Sequence, residues 1–334
     1  MGLGLTGTSW GSVLALQKDS MSSFASPVPA SPTKGQVFLR RLISTVCLWV
    51  IVLTAMFSGN PFIRQYVFLT LMLILAATGL LEFYGLVEKR GLACFKVWGL
   101  FNGLLLMTGT FFYVTTYQKA AGFGAVPGKA NDFETIVLIF FVLGLCVREF
   151  VSKERQTVAL TAMSTTLLGL MYVPWLLNFV QKINFLPTLP GHPLVDGRFY
   201  VLYFIVVTKF SDLGAYCTGS LIGRHKMIPR ISPGKTWEGM GGAIVVSTLT
   251  SVVFAHWAGP RLAGMNLTHA LILGVIMSVA AVIGDLIESI FKREAGVKDS
   301  GKFFPGIGGI LDLLDSLLFN APLMYLYLRH VLAR

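Results

Sequence analysis

The chain has 334 residues, of which 54% are hydrophobic and 13% are charged, with a net charge of +11 and a mean hydropathy of +0.70. A soluble domain carries roughly 25% charged residues, so this composition argues against a soluble enzyme, a disordered chain and a nucleic-acid-binding domain. It indicates a protein of the lipid bilayer, whose excess Lys and Arg hold cytoplasmic loops or bind anionic lipid and phosphate. We expect no nucleic-acid partner.

Residues 1–36 are rich in Ser, Pro and Gly without sustained apolar periodicity, which predicts a disordered tail. Apolar stretches near the ~20 residues that a helix needs to cross a bilayer then recur along the chain. They predict an all-α polytopic membrane protein with about nine transmembrane helices, at 38–57, 65–87, 95–117, 133–151, 158–180, 199–222, 240–257, 267–291 and 311–331. We assign 37–198 to N-terminal transmembrane helices and 199–334 to a C-terminal catalytic transmembrane region with cytoplasmic loops.

Lys and Arg are concentrated in alternate loops, beginning with the segment before the first span. This asymmetry predicts a cytoplasmic N-terminus and, with an odd number of spans, a C-terminus on the outside. It also places the two most polar loops, which follow the sixth and eighth spans, on the same cytoplasmic side.

The sixth span carries Lys209, Ser211 and Asp212 within an otherwise apolar helix. Charged residues inside a membrane are costly and usually functional, although an internal Lys209–Asp212 ion pair that only packs the bundle is the alternative. The loop at 219–239 that follows is rich in Gly, Lys, Arg, Ser and Thr. Such a loop can bind a polyphosphate, and its composition fits an ordinary positive-inside loop equally well.

The end of the eighth span places Asp285, Glu288 and Lys292 on one helix face, because their spacing is three and four residues. Asp312 and Asp315 repeat the three-residue spacing at the start of the ninth span. Carboxylates arranged in this way suit Mg²⁺, which proteins hold through one or two carboxylates together with substrate phosphates. Interhelical hydrogen bonding without a metal is the alternative.

Two blocks of sequence between residues 208 and 316 resemble the phosphatidate cytidylyltransferase family, the CDP-diacylglycerol synthases. The first block comprises Asp212, Ala215-Tyr216, Gly219, Gly223, Pro229-Arg230 and the run from Ser232 to Gly239. The second runs from Ser289 to Arg293 and continues through Lys298-Asp299-Ser300-Gly301, Pro305-Gly306 and Gly308-Gly309 to Asp312 and Asp315. Two long motifs in the right order are far more specific than one short pattern.

The chain departs from the family pattern at two positions. Ile307 stands where the family usually has His, and Leu313 stands where it usually has Arg. Both replacements remove a polar group, as expected either of a divergent subfamily or of an inactive relative. Because every acidic position is retained, we favour an active enzyme.

The resemblance implies transfer of a cytidylyl group from CTP to phosphatidate, giving CDP-diacylglycerol and pyrophosphate in phospholipid biosynthesis, with Mg²⁺ as cofactor. The implied catalytic residues are Asp285, Asp312, Lys292, Arg293, Lys298 and Asp299, and the implied metal ligands are Asp285, Asp312 and Asp315. The implied substrate-binding residues are Arg230, Ser232, Lys235, Thr236, Glu238, Asp212 and Tyr216.

The family also forms homodimers and carries K⁺ beside Mg²⁺, although nothing in the pattern of this chain indicates either. We expect a multi-pass protein of a bacterial plasma (inner) membrane. The alternatives are another membrane lipid phosphotransferase, such as a CTP-dependent lipid-alcohol kinase, and a catalytically inactive relative. A transporter is disfavoured because the sequence shows no internal repeat.

Overall fold

The computed structural model describes residues 46–47, 49–54, 56–120, 128–151, 159–186, 196–262, 264–301 and 308–332. The predicted tail at 1–36 lies outside these residues, as do Lys302 and Ile307. The described part is almost entirely helical. Its helices begin with a leading helix made of the described residues between 46 and 57.

In the part of the chain that the structure describes, nine α-helices follow the leading helix, and we number them in chain order. They are α1 (Pro61–Lys89), α2 (Lys96–Ala120), α3 (Gly128–Val151), α4 (Ala159–Leu170), α5 (Leu176–Asn184), α6 (Gly197–Ile222), α7 (Trp237–Ala258), α8 (Leu267–Glu294) and α9 (Ile310–Tyr327). A π-helical turn, Met171–Trp175, joins α4 to α5, and another, Leu328–Leu332, follows α9. A 3₁₀ turn, Gly259–Arg261, follows α7.

Polar side chains fix where several of these helices begin. Asn60, Asp196, Thr236 and Asn266 each accept a hydrogen bond from a backbone N–H in the first turn of α1, α6, α7 and α8 respectively. Such caps satisfy N–H groups that have no partner within the helix. The cap at Thr236 explains why α7 begins at Trp237, three residues before the predicted start of that span.

Within the described residues, seven stretches are long and apolar enough to cross a membrane, namely Pro61–Lys89, Lys96–Thr116, Ala159–Asn184, Gly197–Ile222, Trp237–Arg261, Leu267–Glu294 and Ile310–Leu332. Each of them corresponds to a predicted span, which confirms an all-α, multi-pass integral membrane protein. The predicted spans at 38–57 and 133–151 are helical where described, but they are not among the seven. The side of the membrane that each end faces stays a prediction.

Among the C-terminal helices, α6 and α8 each pack on the other three, and α9 also contacts α1 and α5. Gly284 permits close packing of α8 on α9, since a Cβ added there would lie 2.6 Å from the backbone oxygen of Asp315. Small residues allow membrane helices to approach in this way. The approach brings the polar end of α8 against the polar start of α9.

A short hairpin lies between α6 and α7 and was not predicted from the sequence. Strands β1 (Lys226–Ile228) and β2 (Ser232–Thr236) pair antiparallel, with Lys226 opposite Thr236 and Ile228 opposite Ser232. Arg293 at the end of α8 holds the hairpin in place, because its Nε donates to the backbone oxygen of Ile231 at 3.1 Å. The hairpin therefore lies over the end of α8 that carries the polar residues.

Candidate active site

A polar pocket of about 420 Å³ lies where α6 and α8 end and where α7 and α9 begin. Its charged and hydroxyl-bearing lining residues are Lys209, Asp212, Tyr216, Ser232, Lys235, Thr236, Asp285, Asp312 and Asp315. The fold thus brings together residues of both motif blocks, which are separated by some fifty residues of apolar helix.

Three carboxylates from α8 and α9 form a compact group at this pocket. Asp285, Glu288 and Asp315 each place one oxygen within 4.8 Å of the others. Glu288 is fully buried, and its Oε2 forms an ion pair with Lys292. Carboxylates this close repel one another in a low-dielectric interior unless a cation offsets their charge. The group therefore has the donor chemistry that suits a hard divalent cation.

Two lysines balance part of this negative charge. Lys235 Nζ lies 2.8 Å from Asp285 Oδ2 and donates to the backbone oxygen of Val282 at 3.1 Å. Lys292 Nζ lies 2.5 Å from Glu288 Oε2 and 2.7 Å from an oxygen of Asp312. Lys235 lines the pocket, so its ammonium group can also bind an anionic ligand there. Lys292 instead forms ion pairs with two carboxylates of the protein, Glu288 and Asp312.

Asp312 lies outside the three-carboxylate group and has its own partners. Its Oδ1 accepts a hydrogen bond from Lys292 Nζ. Its Oδ2 accepts hydrogen bonds from the backbone N–H of Ser300 at 3.1 Å, the hydroxyl of Ser300 at 2.9 Å and the backbone N–H of Gly309 at 2.8 Å. These bonds tie the loop after α8 to the first turn of α9. The sequence predicts Asp285, Asp312 and Asp315 as metal ligands. The geometric group keeps Asp285 and Asp315 and has Glu288 in place of Asp312.

The charged pair of the sixth span connects α6 to α9. Lys209 Nζ lies 3.4 Å from Asp212 Oδ2 and also donates to the backbone oxygen of Leu313 at 3.1 Å and to Ser316 Oγ at 3.3 Å. The Ser316 hydroxyl donates to Asp212 Oδ2 at 3.2 Å. The internal ion pair therefore exists, and both of its members also line the polar pocket.

Other residues predicted for the site have structural contacts beside it. Glu238 accepts hydrogen bonds from the backbone N–H groups of Arg224 and His225, and its carboxylate lies 2.5 Å from His225 Nδ1. It therefore orders the loop between α6 and the hairpin. Arg230, Lys298 and Asp299 are exposed, and they are not among the described residues that line the pocket.

Two acidic residues were missing from the sequence-based site. The sequence places Glu288 on the same helix face as Asp285 without predicting a role for it, yet it is the most buried of the three clustered carboxylates. Glu82 of α1 is not among the residues predicted for the site. Its carboxylate accepts hydrogen bonds from the backbone N–H groups of Ile310 and Leu311 and from the Ser300 hydroxyl. The sequence does contain a signal for Glu82, since an acidic residue inside a predicted membrane span usually marks a functional position.

A family model described as the cytidylyltransferase family matches residues 39–331. The chain belongs to the cytidylyltransferase family. This match confirms the resemblance predicted from the two motif blocks, and it extends over the N-terminal helices, for which the motifs supplied no signal.

Individual relatives of this cytidylyltransferase-family chain agree with the family match. It is 42% identical over 132 residues to a phosphatidate cytidylyltransferase of Haemophilus influenzae, covering 39% of this chain and 46% of the relative. It is 44% identical over 133 residues to a phosphatidate cytidylyltransferase of Staphylococcus haemolyticus, covering 40% and 50%. It is 36% identical over 165 residues to the uncharacterized protein YnbB of Escherichia coli, covering 49% and 51%. The matched region spans about half the length of each relative.

Proposed function

We propose that this chain transfers a cytidylyl group from CTP to phosphatidate, forming CDP-diacylglycerol and pyrophosphate. The observation that carries the proposal is the polar pocket, in which clustered carboxylates and lysines from both motif blocks meet at one end of a bundle of membrane helices. The family match and the similarity to two phosphatidate cytidylyltransferases support the cytidylyl chemistry.

Mg²⁺ is the proposed cofactor, held by Asp285, Glu288 and Asp315. Their hard oxygen donors, gathered within 4.8 Å of one another, and the burial of Glu288 within this group fit such an ion. When bound, Mg²⁺ offsets the negative charge of phosphate oxygens. The sequence predicts Asp312 as a metal ligand. We propose instead that Asp312 positions Lys292 and Ser300 through hydrogen bonds.

The residues of the chain contribute mainly by orienting the substrates and balancing charge. An oxygen of the lipid phosphate attacks the α-phosphorus of CTP, the bond from that phosphorus to the bridging oxygen of the β-phosphate breaks, and pyrophosphate leaves with the electron pair. Lys235, Ser232 and Tyr216 supply an ammonium and hydroxyl donors at the pocket wall for the nucleotide phosphates. Holding both substrates in line removes much of the entropic cost of their encounter.

The position of the CTP label distinguishes this reaction from its alternatives. Purified chain in detergent, supplied with phosphatidate and Mg²⁺, should move label from α-labelled CTP into the lipid and leave label from γ-labelled CTP in pyrophosphate. A lipid-alcohol kinase, supplied with diacylglycerol as hydroxyl acceptor in a parallel assay, would instead place the γ-label in the lipid. Absence of lipid product from a demonstrably folded protein would contradict the proposal and favour an inactive relative.

A matched pair of lysine variants tests the assigned pocket. We expect Lys235→Met to lower the rate by about a hundredfold, because a positioned cation at developing phosphate charge is commonly worth that much. Lys89→Met, at an exposed position at the end of α1, is the control and should keep the wild-type rate. Equal rates in the two variants would remove Lys235 from the site.

The remaining expectations rest on the family resemblance alone. We propose a homodimer, a K⁺ ion beside Mg²⁺ and a location in a bacterial plasma (inner) membrane. Sedimentation in detergent, replacement of K⁺ by Na⁺ in the assay and membrane fractionation test them in turn.

A further inference from the structure

A second cavity, of about 550 Å³, lies inside the membrane-spanning part of the bundle. Its walls come from the leading helix, α1, α5, α6 and α9, and they include Trp49, Leu71, Leu75, Ile205, Leu313 and Leu317. Among the described residues that line it, Lys209 is the charged one. The volume falls in the range of about 300–1,000 Å³ that is typical of ligand pockets.

Lys209 lines both this apolar cavity and the polar pocket, so the two spaces adjoin on either side of it. Along α6, the apolar cavity lies toward the N-terminal side of Lys209, at Val201 and Ile205, and the polar pocket lies toward the C-terminal side, at Asp212 and Tyr216. The bonds of Lys209 to Asp212, Leu313 and Ser316 hold its ammonium group at this junction.

The dimensions of the apolar cavity match a lipid chain. From Lys209 to Val201, α6 advances by about 12 Å at 1.5 Å per residue, close to the roughly 15 Å depth of one hydrocarbon leaflet. Water is a poor occupant because it needs two or more polar partners. Hydrocarbon supplies the dispersion contacts that the walls of an empty apolar cavity would lack.

We propose that this cavity binds an acyl chain of the lipid phosphate acceptor, whose phosphate group extends past Lys209 into the polar pocket. An amphiphile with one anionic end and one apolar end is the ligand class that two such joined spaces fit. The identity of the acceptor as phosphatidate rests on the proposed function. Leu313, which stands where the family usually has Arg, adds apolar surface to this cavity near the junction.

Substitutions that narrow the cavity test the proposal through acyl-chain preference. Leu71→Trp and Leu317→Trp add bulk from two different helices. We expect each to lower kcat/KM for dipalmitoyl phosphatidate by about tenfold or more, and to change kcat/KM for dihexanoyl phosphatidate by less than about twofold. Retained activity on the short acceptor shows that the variant is folded. Equal effects on both acceptors, or no effect on either, would overturn the proposal.

The matched control is Ile74→Trp, one helical turn from Leu71 on α1 at a position that is 47% exposed. It adds the same bulk to the outer face of the helix, so it should preserve the wild-type preference between the two acceptors. A shift in Ile74→Trp as large as that in Leu71→Trp would show that bulk on α1, and not occupation of the cavity, sets the preference.

Photocrosslinking separates this proposal from the proposed function. Phosphatidate with a photoreactive group in its acyl chain, added without CTP, should label cavity residues such as Val201 and Leu317, and Leu71→Trp should abolish that labelling. Labelled cavity residues in a protein that forms no CDP-diacylglycerol would refute the function and leave the cavity assigned. Normal turnover with labelling confined to outward-facing residues such as Ile74 would refute the cavity and leave the function standing.

Discussion

Glu82, near the C-terminal end of α1, caps the N-terminus of α9, because its Oε2 accepts a hydrogen bond from the backbone N–H of Leu311 at 2.9 Å. Its other oxygen accepts from the backbone N–H of Ile310 at 3.0 Å, and Ser300 donates to Oε2 at 3.0 Å. A carboxylate at this position also interacts favourably with the helix dipole. The backbone N–H of Ser300 in turn donates to Asp312 Oδ2 at 3.1 Å, so one side chain of α1 positions Ser300 against the first turn of α9.

Removal of the Glu82 carboxylate should therefore impair both stability and activity. We expect Glu82→Ala to lower the free energy of unfolding by about 2 kcal/mol, because a charged cap and its hydrogen bonds are lost, and to lower kcat as the loop loosens. Glu82→Gln, which keeps an acceptor oxygen, should show a smaller loss. Thermal unfolding in detergent and the labelled-CTP assay measure the two effects. Glu88→Gln, at an exposed position on the same helix, is the control, and an equal loss there would contradict the assignment.

Gly309 leaves no room for a side chain. A Cβ added there would overlap the Ser300 hydroxyl and the Glu82 carboxylate. We expect Gly309→Ala to displace this loop and to lower the rate on the order of a hundredfold, since small misplacements of reacting groups cost that much. Gly241→Ala in α7 meets open space and should be as active as wild type, with equal or slightly higher stability. Full activity of Gly309→Ala would show that the loop tolerates displacement.

The clustered carboxylates should respond to Mg²⁺ differently from Asp312. We expect Asp285→Asn and Glu288→Gln each to reduce the rate on the order of a hundredfold and to raise the Mg²⁺ concentration needed for half-maximal activity. Their double variant should be little worse than either one, because the ligands act as a unit. Asp312→Asn should lower stability and rate with an unchanged Mg²⁺ requirement.

Direct binding of Mn²⁺, followed by its electron paramagnetic resonance signal, checks the same assignment without turnover. The signal of bound Mn²⁺ should weaken in Asp285→Asn and Glu288→Gln and persist in Asp312→Asn. The opposite pattern would restore the metal set predicted from the sequence, with Asp312 as a ligand.

A buried ion pair far along the chain from both motif blocks should affect stability and leave catalysis unchanged. Lys182 Nζ lies 2.7 Å from Glu134 Oε2, and Asn178 donates to Glu134 Oε1 at 2.6 Å. Lys182→Met leaves an uncompensated buried carboxylate, so we expect a loss of about 3–5 kcal/mol in unfolding free energy. Adding Glu134→Gln should recover most of it. A large change in KM for CTP in a folded Lys182→Met protein would connect this pair to the site instead.

Much of the fold follows from local patterns in the sequence. Helices are the structure that apolar runs adopt in lipid, because each backbone group must find its partner within the segment. The seven membrane-crossing stretches therefore match predicted spans, the family motifs identified pocket residues such as Lys235 and Asp212, and helical spacing identified Asp285. Some helix boundaries differ from the predicted spans, since a cap such as Thr236 shifts a helix start without changing hydropathy.

The roles of individual carboxylates depended on the tertiary structure. Asp312 and Glu288 have the same chemistry in the sequence, yet Asp312 is enclosed by hydrogen-bond donors and Glu288 lies buried beside Asp285 and Asp315. Glu82 contacts Leu311 across 229 positions of sequence. The apolar cavity likewise exists only because five helices enclose it. Residue spacing determines which helix face a side chain occupies. Its partners depend on which helix faces pack together, and this packing is set by the tertiary structure of the whole bundle.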